Sequence, residues 1–370
     1  MKKIALISDQ LTFLGGIRTS ILSLCYVLQK AGYNIQLGQN LEDVHEPDII
    51  WTHSPSNLAL VLQLKAWHEQ HPHCPLIYQV HDYREVCLTG RKSCGKELAP
   101  CWREMGLECF AIHYGQGCGP ALNPVKLAER YKLIKEQIKL MKSSTRVVVF
   151  SDYVRDQLGI NGIATEKIFK TLPYFTPPEM SEVNNYRPSC GTSVLWYGRF
   201  AQEKGPFQFI NLLHHLKESK VPLDKAFMIG EGPLEKALHL LAHECDLDDI
   251  LTFINWSQPQ NLWKYIRESS FVHFSSLWPE PFGLLGIESM ALGVPVIGRP
   301  VGGSLEWLRN EFGHIAVNSD DLGHIFDAAA TLLSERSSSS TRANKLKCSF
   351  QEHFSVPKQI ESIYRILNGL

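Results

Sequence analysis

One stretch of the sequence decides the fold, and it reads Ser275-Ser-Leu-Trp-Pro-Glu-Pro-Phe-Gly-Leu-Leu-Gly-Ile-Glu-Ser-Met-Ala-Leu-Gly-Val-Pro-Val-Ile-Gly298. Pro281 disfavours a helical conformation at Glu280, so we expect a loop up to about that residue. A helix is predicted to begin near Phe282 or Gly283 and to end at Gly293, with a buried strand after it. The stretch therefore indicates a loop, a helix and a strand of an α/β domain.

The two carboxylates of this stretch bracket the start of the predicted helix. Glu280 falls in the loop before the helix, and Glu288 falls in its second turn. The free N–H groups around Gly283, Leu284 and Leu285 would point at a negative group at the helix start. This arrangement suits a sugar nucleotide, because carboxylates accept hydrogen bonds from hydroxyl groups while the helix end faces the diphosphate. The alternative is that a glutamate here only compensates the helix dipole.

Two further segments favour a phosphate-bearing ligand. Gly198 ends a predicted strand, and Arg199 and Lys204 follow it, so both cations can converge on one diphosphate. Taken alone, this segment would be a solvated basic loop. Gly15 and Gly16 lie between the first predicted strand and the first helix, where a backbone must approach a ligand closely. The glycine pair is not the GxGxxG fingerprint of dinucleotide binding, which argues against a dehydrogenase.

Strand and helix signals alternate along the whole chain in two successive series. Continuous apolar strands in such an alternation predict parallel sheets covered on both faces. The strands predicted in the first series are Ile4–Ser8, Ile35–Gly38, Asp48–His53, Leu76–His81, Arg146–Ser151 and Ile168–Leu172. Those in the second series are Ser193–Gly198, Ala226–Gly230, Leu251–Asn255, Phe271–Ser275, Val294–Gly298 and Ile315–Val317.

Proline and polar residues without periodicity mark a linker over 176–190. We therefore predict an N-terminal α/β domain over 1–175 and a C-terminal α/β domain over 191–350. Residues 351–370 are predicted to form a helix that packs back on the N-terminal domain.

Composition excludes several classes of protein. The 370 residues are 44% hydrophobic and 20% charged, which is typical of a globular protein of about two domains. A formal net charge of −1 argues against a general nucleic-acid binder. The apolar run at Ile4 stops after four residues, so it indicates a buried strand rather than a signal peptide. No apolar stretch reaches the ~18 residues of a membrane span. We expect a cytoplasmic enzyme, with peripheral contact to the inner face of the membrane left open.

Together these stretches resemble the large fourth family of retaining GT-B glycosyltransferases, the group 1 glycosyltransferases. The resemblance extends from residue 15 to about residue 306, in the family's order and spacing. The pieces that carry it are Gly15-Gly16-Ile17, His81-Asp82-Tyr83, Ser151, Gly198-Arg199, Lys204-Gly205, Gly230-Glu-Gly-Pro233, Glu280 with Glu288, Gly293-Val-Pro-Val296, and Gly302-Gly303 with Glu306. The Glu-x7-Glu pair with its Gly-x-Pro-Val tail is the specific part of this signal.

The resemblance implies a GT-B fold, with two Rossmann-like domains facing a central cleft, and a set of donor-binding residues. Arg199 and Lys204 would hold the donor diphosphate and stabilise it as it leaves. Glu288 would bind the ribose and Glu280 the donor sugar, while His81 would orient or stabilise the sugar from across the cleft. The backbone at Gly15 and Gly16, and around Gly283 to Leu285, would contact phosphates and sugar.

The resemblance also implies a retaining reaction without a bound metal or other cofactor. The donor would be a nucleotide-sugar, with UDP-hexose as the expectation, and the acceptor a glycan or lipid-linked saccharide. Three residues are candidates for the acceptor side: His53, Asp82 and Tyr83. For His53 the alternative is a capping or buried histidine. The other functions considered are a non-catalytic GT-B subunit that binds nucleotide or glycan, a nucleotide-sugar epimerase and a phosphorylase.

Three features leave alternatives open. The irregular stretch over about 84–123 holds five cysteines, Cys87, Cys94, Cys101, Cys109 and Cys118. This insertion either shapes the acceptor site, or carries one or two disulfides, or binds zinc. Asp246 and Asp248 match the D-x-D string of metal-dependent glycosyltransferases, but they are expected in a surface turn. The lysine-rich helix pattern over 126–146 predicts either a solvated face or a surface that rests on an anionic membrane.

Overall fold

The computed structural model describes residues 2–12, 16–95, 97–119, 123–175, 192–256, 259–319, 322–334 and 339–370. Gly15 and the predicted linker over 176–190 lie outside the described residues. The chain divides into two compact units. The N-terminal unit comprises Met1–Thr176 together with Ser355–Leu370, and the C-terminal unit comprises Pro177–Phe354.

The N-terminal unit is built on a parallel sheet of six strands. Its strands are β1 (Lys3–Ile7), β2 (Asn34–Gly38), β3 (Ile49–His53), β4 (Leu76–Gln79), β7 (Arg146–Val149) and β8 (Ile168–Lys170). Their order across the sheet is β2-β1-β3-β4-β7-β8, and every neighbouring pair is parallel. The helices of this unit are α1 (Gly16–Lys30), α2 (Leu58–Gln70), α3 (Glu108–Ile112), α4 (Pro124–Ser143) and α5 (Asp152–Ile160).

The C-terminal unit repeats this construction. Its strands are β9 (Ser193–Tyr197), β10 (Lys225–Ile229), β11 (Leu251–Ile254), β12 (Phe271–Phe274), β13 (Val296–Gly298) and β14 (Ile315–Ala316). They follow the order β11-β10-β9-β12-β13-β14, again all parallel. The helices are α6 (Pro206–Glu218), α7 (Glu235–Glu244), α8 (Pro259–Glu268), α9 (Leu285–Leu292), α10 (Leu322–Ser334) and α11 (Ser339–His353). The strand order reverses between β9 and β12, which is where open sheets of this kind bind ligands.

All twelve predicted strands are observed, with ends that differ by at most two residues. The central strands are almost wholly buried, which is why they appear in the sequence as unbroken apolar runs. His273 in β12 is buried, where the sequence would favour a core histidine with satisfied hydrogen bonds, and burial lowers its pKa to about 3. Neither of its ring nitrogens has a hydrogen-bond partner within the described residues.

The last helix, α12 (Val356–Leu367), is part of the N-terminal unit. Its Ser362 hydroxyl lies 2.7 Å from the Thr171 hydroxyl, at the end of β8. The side-chain oxygen of Gln359 accepts a hydrogen bond from the Phe175 amide at 3.2 Å, and its nitrogen donates to the Phe175 carbonyl at 2.8 Å. The helix thus closes one edge of the N-terminal sheet through buried polar contacts as well as apolar ones.

The insertion after β4 is more regular than the sequence predicted. It contains a short antiparallel hairpin, β5 (Ser93–Cys94) with β6 (Ala99–Pro100), then α3 and a single π-turn. Elements this short leave no periodic signal, so the expectation of an irregular stretch was wrong. All five cysteines of the insertion are free thiols. Within the described residues, no group of three or more metal-binding side chains is placed to hold an ion.

Helix α4 carries the lysine-rich pattern. Leu127, Ile134, Ile138 and Met141 are buried on its inner face, so this apolar face packs within the unit. The exposed face carries five lysines, namely Lys126, Lys132, Lys135, Lys139 and Lys142. Among the helices that the structure describes, none combines the length and the apolar character needed to cross a membrane.

Candidate functional site

The residues after β9 and β12 meet at the point where the strand order of the C-terminal sheet reverses. Trp196, near the end of β9, donates its indole N–H to the Ser275 hydroxyl at 2.8 Å. That hydroxyl in turn donates to the Lys204 carbonyl at 3.0 Å. The loop that carries Lys204 is therefore fixed against the loop that carries Glu280. These loops follow the adjacent parallel strands β9 and β12, so they leave the sheet at the same edge.

Lys204 and Glu280 form an ion pair at this edge. The Lys204 ammonium lies 2.6 Å from Glu280 Oε1, and the Ser276 hydroxyl donates to the same oxygen at 2.8 Å. The Glu280 side chain is 6% exposed and that of Lys204 is 30% exposed. The lysine also lies 5.3 Å from the centre of the Trp278 ring. The carboxylate is thus held from inside the protein, while the ammonium keeps contact with solvent.

Arg199 is more exposed than Lys204 and pairs with a different carboxylate. Its guanidinium forms an ion pair with Glu203, whose side chain is 3% exposed against 63% for Arg199. Gly205 follows Lys204 with a left-handed φ of +64°, and a Cβ there would overlap the Ser275 backbone. Glycine is therefore needed at this position for the two loops to approach.

A second close backbone approach fixes Glu280 itself. Glu280 and Gly302 form an isolated parallel β-bridge, and the Gly303 amide donates to the Glu280 carbonyl. Gly302 has a φ of +61°, and a Cβ there would lie 2.6 Å from the Pro279 carbonyl carbon. The Gly302-Gly303 pair, quoted in the sequence only for its resemblance, therefore holds the main chain of Glu280 in place.

The helix predicted after Glu280 begins later than expected. It starts at Leu285 instead of Phe282 or Gly283, because Gly283 has a left-handed φ of +82° that a helix cannot include. Its end is as predicted, with Gly293 left-handed at a φ of +76°. The first hydrogen bond of the helix runs from the Glu288 amide to the Leu284 carbonyl at 3.0 Å. The amides of the first turn therefore have no partner within the helix.

Trp307 supports the start of this helix from inside the unit. The indole is fully buried and donates to the Phe282 carbonyl at 2.7 Å. Gly286 packs directly on the same ring, so closely that a Cβ there would overlap Cδ2 and Cε3. Neither contact was predicted, because nothing in the sequence links residues 286 and 307.

Glu288 lies in the first turns of α9, beneath the end of β9. The Tyr197 hydroxyl donates to Glu288 Oε2 at 2.6 Å. Burial raises the pKa of Glu288, and the Tyr197 hydrogen bond acts in the opposite direction. Burial and the nearby Glu288 charge raise the pKa of Tyr197 well above its usual value. Tyr197 was missed in the sequence, although its place directly before Gly198 was a usable signal.

In the N-terminal unit, His53 and His81 contact each other at the carboxyl ends of β3 and β4. Their nearest ring nitrogens, His53 Nδ1 and His81 Nε2, are 3.0 Å apart. Burial and the neighbouring His81 hold the pKa of His53 well below its usual value. Burial and the Arg84 charge lower the pKa of His81 to about 3. Both rings are therefore neutral at physiological pH.

The two other acceptor-side candidates differ in accessibility. Asp82 pairs with Arg84, whose Nε lies 2.7 Å from Asp82 Oδ2. Tyr83 is 0% exposed, and its ring packs edge-on against Tyr153. Glu85 is also fully buried, and burial together with the Asp82 charge raises its pKa to about 8. Of the two candidates, Asp82 is partly exposed and can be contacted by a ligand, whereas Tyr83 cannot.

The remaining sequence candidates fall outside these two clusters. Gly16 begins α1 and is exposed, whereas Gly15 lies outside the described residues. Asp246 is in a surface turn and pairs with Lys217 at 3.0 Å, and Asp248 pairs with His243 at 2.6 Å. The predicted surface turn is confirmed.

Comparison with known proteins shows the fold and gives a partial match to one family. The profile described as "Glycosyl transferases group 1" matches residues 188–347. An uncharacterized glycosyltransferase of Methanocaldococcus jannaschii is 25% identical over 190 residues, which are 49% of this chain and 48% of that protein. A D-inositol 3-phosphate glycosyltransferase of Xylanimonas cellulosilytica is 24% identical over 217 residues, or 55% and 52% of the two chains. The match thus spans about half the length of these curated relatives.

Among solved structures, HepE of Anabaena in complex with UDP-glucose matches over 100% of both chains, with a TM-score of 0.66. At 17% identity, this likeness shows the fold alone. It confirms the GT-B class predicted from the sequence.

Proposed function

We propose that the chain is a retaining, metal-independent group 1 glycosyltransferase that moves a hexose from a UDP-sugar to a glycan or lipid-linked saccharide. The observation that carries this proposal is the Lys204–Glu280 ion pair at the switch point of the C-terminal sheet. A cation and a carboxylate placed there match the two ends of a sugar diphosphate, since one binds phosphate and the other binds sugar hydroxyls.

The donor diphosphate would bind Arg199 and Lys204 and the open amides at the start of α9. In the structure, Arg199 pairs with Glu203 and Lys204 pairs with Glu280. A diphosphate would compete for both, with the arginine offering a planar fork and the lysine a point charge. As the bond to the sugar breaks, negative charge grows on the departing phosphate. Fixed positive groups stabilise that charge more than they stabilise the bound donor, which lowers the barrier.

The carboxylates would bind the two sugars of the donor. Glu280 has one oxygen engaged by Lys204 and Ser276, and its main chain is fixed by Gly303, so it is preorganised to accept from hydroxyls of the hexose. Glu288 would accept from the ribose hydroxyls, with Tyr197 holding one of its oxygens. The choice of UDP is supported by HepE of Anabaena, whose structure contains UDP-glucose.

The charges at the site support the proposal of a metal-independent reaction. A departing diphosphate needs counter-charge, and Arg199, Lys204 and a helix start supply it from the protein itself. The Asp246–Asp248 turn would be a poor alternative, because Asp246 already pairs with Lys217 and Asp248 with His243 on the surface. The retaining outcome is proposed from the resemblance to the family.

The acceptor is proposed to bind the N-terminal unit, beside the carboxyl ends of β1 and β3. A cavity of about 730 Å³ lies there between the start of α2 and the outer face of α4. Its lining consists of Asp9, Ser56, Asn57, Leu58, Glu129, Arg130, Lys132 and Leu133. Carboxylates, an amide and cations in one open cavity suit the many hydroxyls of a saccharide. One of the exposed lysines of α4, Lys132, lines this cavity, so a membrane carrying a lipid-linked acceptor is the partner we propose for these lysines.

The proposal is tested first by donor binding and then by turnover. UDP-, GDP- and ADP-hexoses are added separately while thermal unfolding is followed, because a ligand at 100 times its Kd adds ~2.7 kcal/mol of stability. Release of the nucleoside diphosphate is then measured with saccharide acceptors. Stabilisation by a UDP-hexose with release of UDP is the expected result. Stabilisation without release, with every acceptor, would favour a non-catalytic nucleotide-binding subunit.

A further inference from the structure

The two histidines of the N-terminal unit share one hydrogen bond but differ in burial. His53 is 0% exposed, whereas His81 is half-buried. The distance between His53 Nδ1 and His81 Nε2 is 3.0 Å. Because a hydrogen bond needs one N–H group and one bare nitrogen, this contact sets the tautomers of both neutral rings together.

Two arrangements of the protons satisfy this contact. In the first, His53 donates from Nδ1, so its Nε2 is bare, and His81 carries its proton on Nδ1. In the second, His81 donates from Nε2, and His53 must then carry its proton on Nε2. His53 Nε2 is buried and has no hydrogen-bond partner within the described residues. The second arrangement would bury an N–H group without an acceptor, which is rarer in proteins than a buried acceptor without a donor.

We propose that His53 is a positioning residue that holds His81 in its Nδ1–H tautomer, so that His81 presents an N–H donor to an oxygen atom of a substrate. This inference rests on the proposed function for its last step, the contact with the substrate. The tautomer itself depends only on the two rings. His53 then acts through His81 and does not contact the acceptor.

The surroundings of both rings hold them in this geometry. His53 stacks on Trp51, with ring centres 6.2 Å apart and planes 13° apart. The Ser54 hydroxyl accepts a hydrogen bond from the His81 amide at 3.0 Å, and Phe150 packs edge-on against the His81 ring at 5.5 Å. The Ser8 hydroxyl donates to the His53 carbonyl at 3.1 Å. Main chain and ring are thus both fixed at each histidine.

The neutral state of the pair makes His81 a hydrogen-bond donor and not an acid. The pKa of His81 falls to about 3, chiefly through burial, and that of His53 is also well below its usual range. A neutral imidazole N–H supports an oxygen that gains negative charge without giving its proton away. Only the Nδ1–H tautomer of His81 does this, because a bare Nδ1 would repel that oxygen. The hydrogen bond with His53 therefore determines whether the His81 ring attracts or repels it.

The tautomers are read directly by ¹⁵N nuclear magnetic resonance on the full chain labelled at histidine. Signals are assigned with His53→Asn and His81→Asn variants. We expect the Nδ1–H form at His81 and an Nδ1–H proton on His53 in the hydrogen bond. A His81 ring protonated on Nε2 would overturn the proposal. This readout needs no turnover, so it stands even if no transfer is found and the proposed function fails.

Kinetics then test whether the tautomer matters to transfer. Asparagine at 53 places an amide N–H near the position of His53 Nδ1, whereas leucine keeps the bulk without a donor. We expect His53→Leu to lower kcat about 10- to 100-fold with the donor KM nearly unchanged, by analogy with the loss of a residue that orients a metal-bound imidazole. His53→Asn should recover most of kcat. Equal losses in both variants would indicate packing alone, and equal retention would indicate no role. Either result overturns the proposal.

Discussion

The Lys204–Glu280 pair predicts that removing its two members has unequal effects on stability. Lys204→Met leaves a carboxylate that is 5% exposed, with the Ser276 hydroxyl as its remaining partner from the site. Glu280→Gln leaves an ammonium whose side chain is 30% exposed and can turn to water. Breaking a fully buried pair costs ~3–5 kcal/mol, and surface pairs contribute ~0–1 kcal/mol. We therefore expect Lys204→Met to cost about 1–3 kcal/mol and Glu280→Gln less than about 1 kcal/mol.

Transfer activity should respond differently from stability. Each single variant is expected to lose about 10²–10³-fold in turnover, since each removes one preorganised group from the departing diphosphate or the sugar. Thermal unfolding of the wild type, both single variants and the double variant gives the stability cycle. Release of the nucleoside diphosphate gives turnover, at a temperature where every variant is folded.

The double variant tests most directly whether Lys204 compensates a buried charge. Removing both charges also removes the uncompensated carboxylate, so Lys204→Met combined with Glu280→Gln should be more stable than Lys204→Met alone. For a unit of this size, each kcal/mol corresponds to ~2–4 °C in Tm. Additive losses in the double variant, or an unchanged Tm for Lys204→Met, would refute the reasoning that Lys204 compensates a buried charge. Turnover within a few-fold of the wild type in both single variants would refute the site assignment.

Gly286→Ala should lower the free energy of unfolding by about 2–4 kcal/mol, because the new methyl group overlaps the buried Trp307 ring. Gly159→Ala in α5 is the matched control, and equal Tm values for the two variants would contradict the overlap. The free energy of unfolding should fall as pH rises from the usual carboxyl pKa range towards pH 8. The pKa of Glu85 is raised to about 8 in the folded protein, so the folded protein still holds this proton at pH values where the unfolded chain has released it. Glu85→Gln should flatten this slope in a Tm-against-pH series, and an identical slope in the variant would count against it. Transfer should survive EDTA, and a loss restored by magnesium or manganese would disprove the metal-independent reaction, whereas a loss restored only by zinc would point to the cysteine insertion. Sedimentation with anionic liposomes should carry the chain down at low salt and release it at high salt; a protein that stays in solution at low salt would remove the membrane from the proposal.

The sequence predicted the strands well because each buried strand is an unbroken apolar run bounded by glycine or polar residues. It also placed Arg199, Lys204 and Glu280 at strand ends, where the parallel topology brings them together. The start of α9 was missed by two to three residues, since a single left-handed glycine, Gly283, decides it. Backbone conformation at one glycine is set by tertiary contacts that no local pattern records.

The supporting residues of the site were harder to predict for a different reason. Tyr197 and Glu288 are 91 positions apart, and Trp307 contacts Phe282 across 25 positions. His53 and His81 are 28 positions apart, and only the neighbouring register of β3 and β4 makes them partners. Such pairs follow from the order of strands in the sheet, which a single sequence does not specify residue by residue.

The place of α12 has a consequence for synthesis of the chain. The N-terminal unit needs Gln359 and Ser362 for buried hydrogen bonds at its edge, yet these residues leave the ribosome after the entire C-terminal unit. The C-terminal unit is continuous in sequence, so it can complete its own sheet while the N-terminal unit still lacks its last helix. Folding during translation should therefore finish in reverse order. A nascent chain stalled near residue 354 would hold a finished C-terminal unit and an N-terminal unit that is still open to chaperones and proteases.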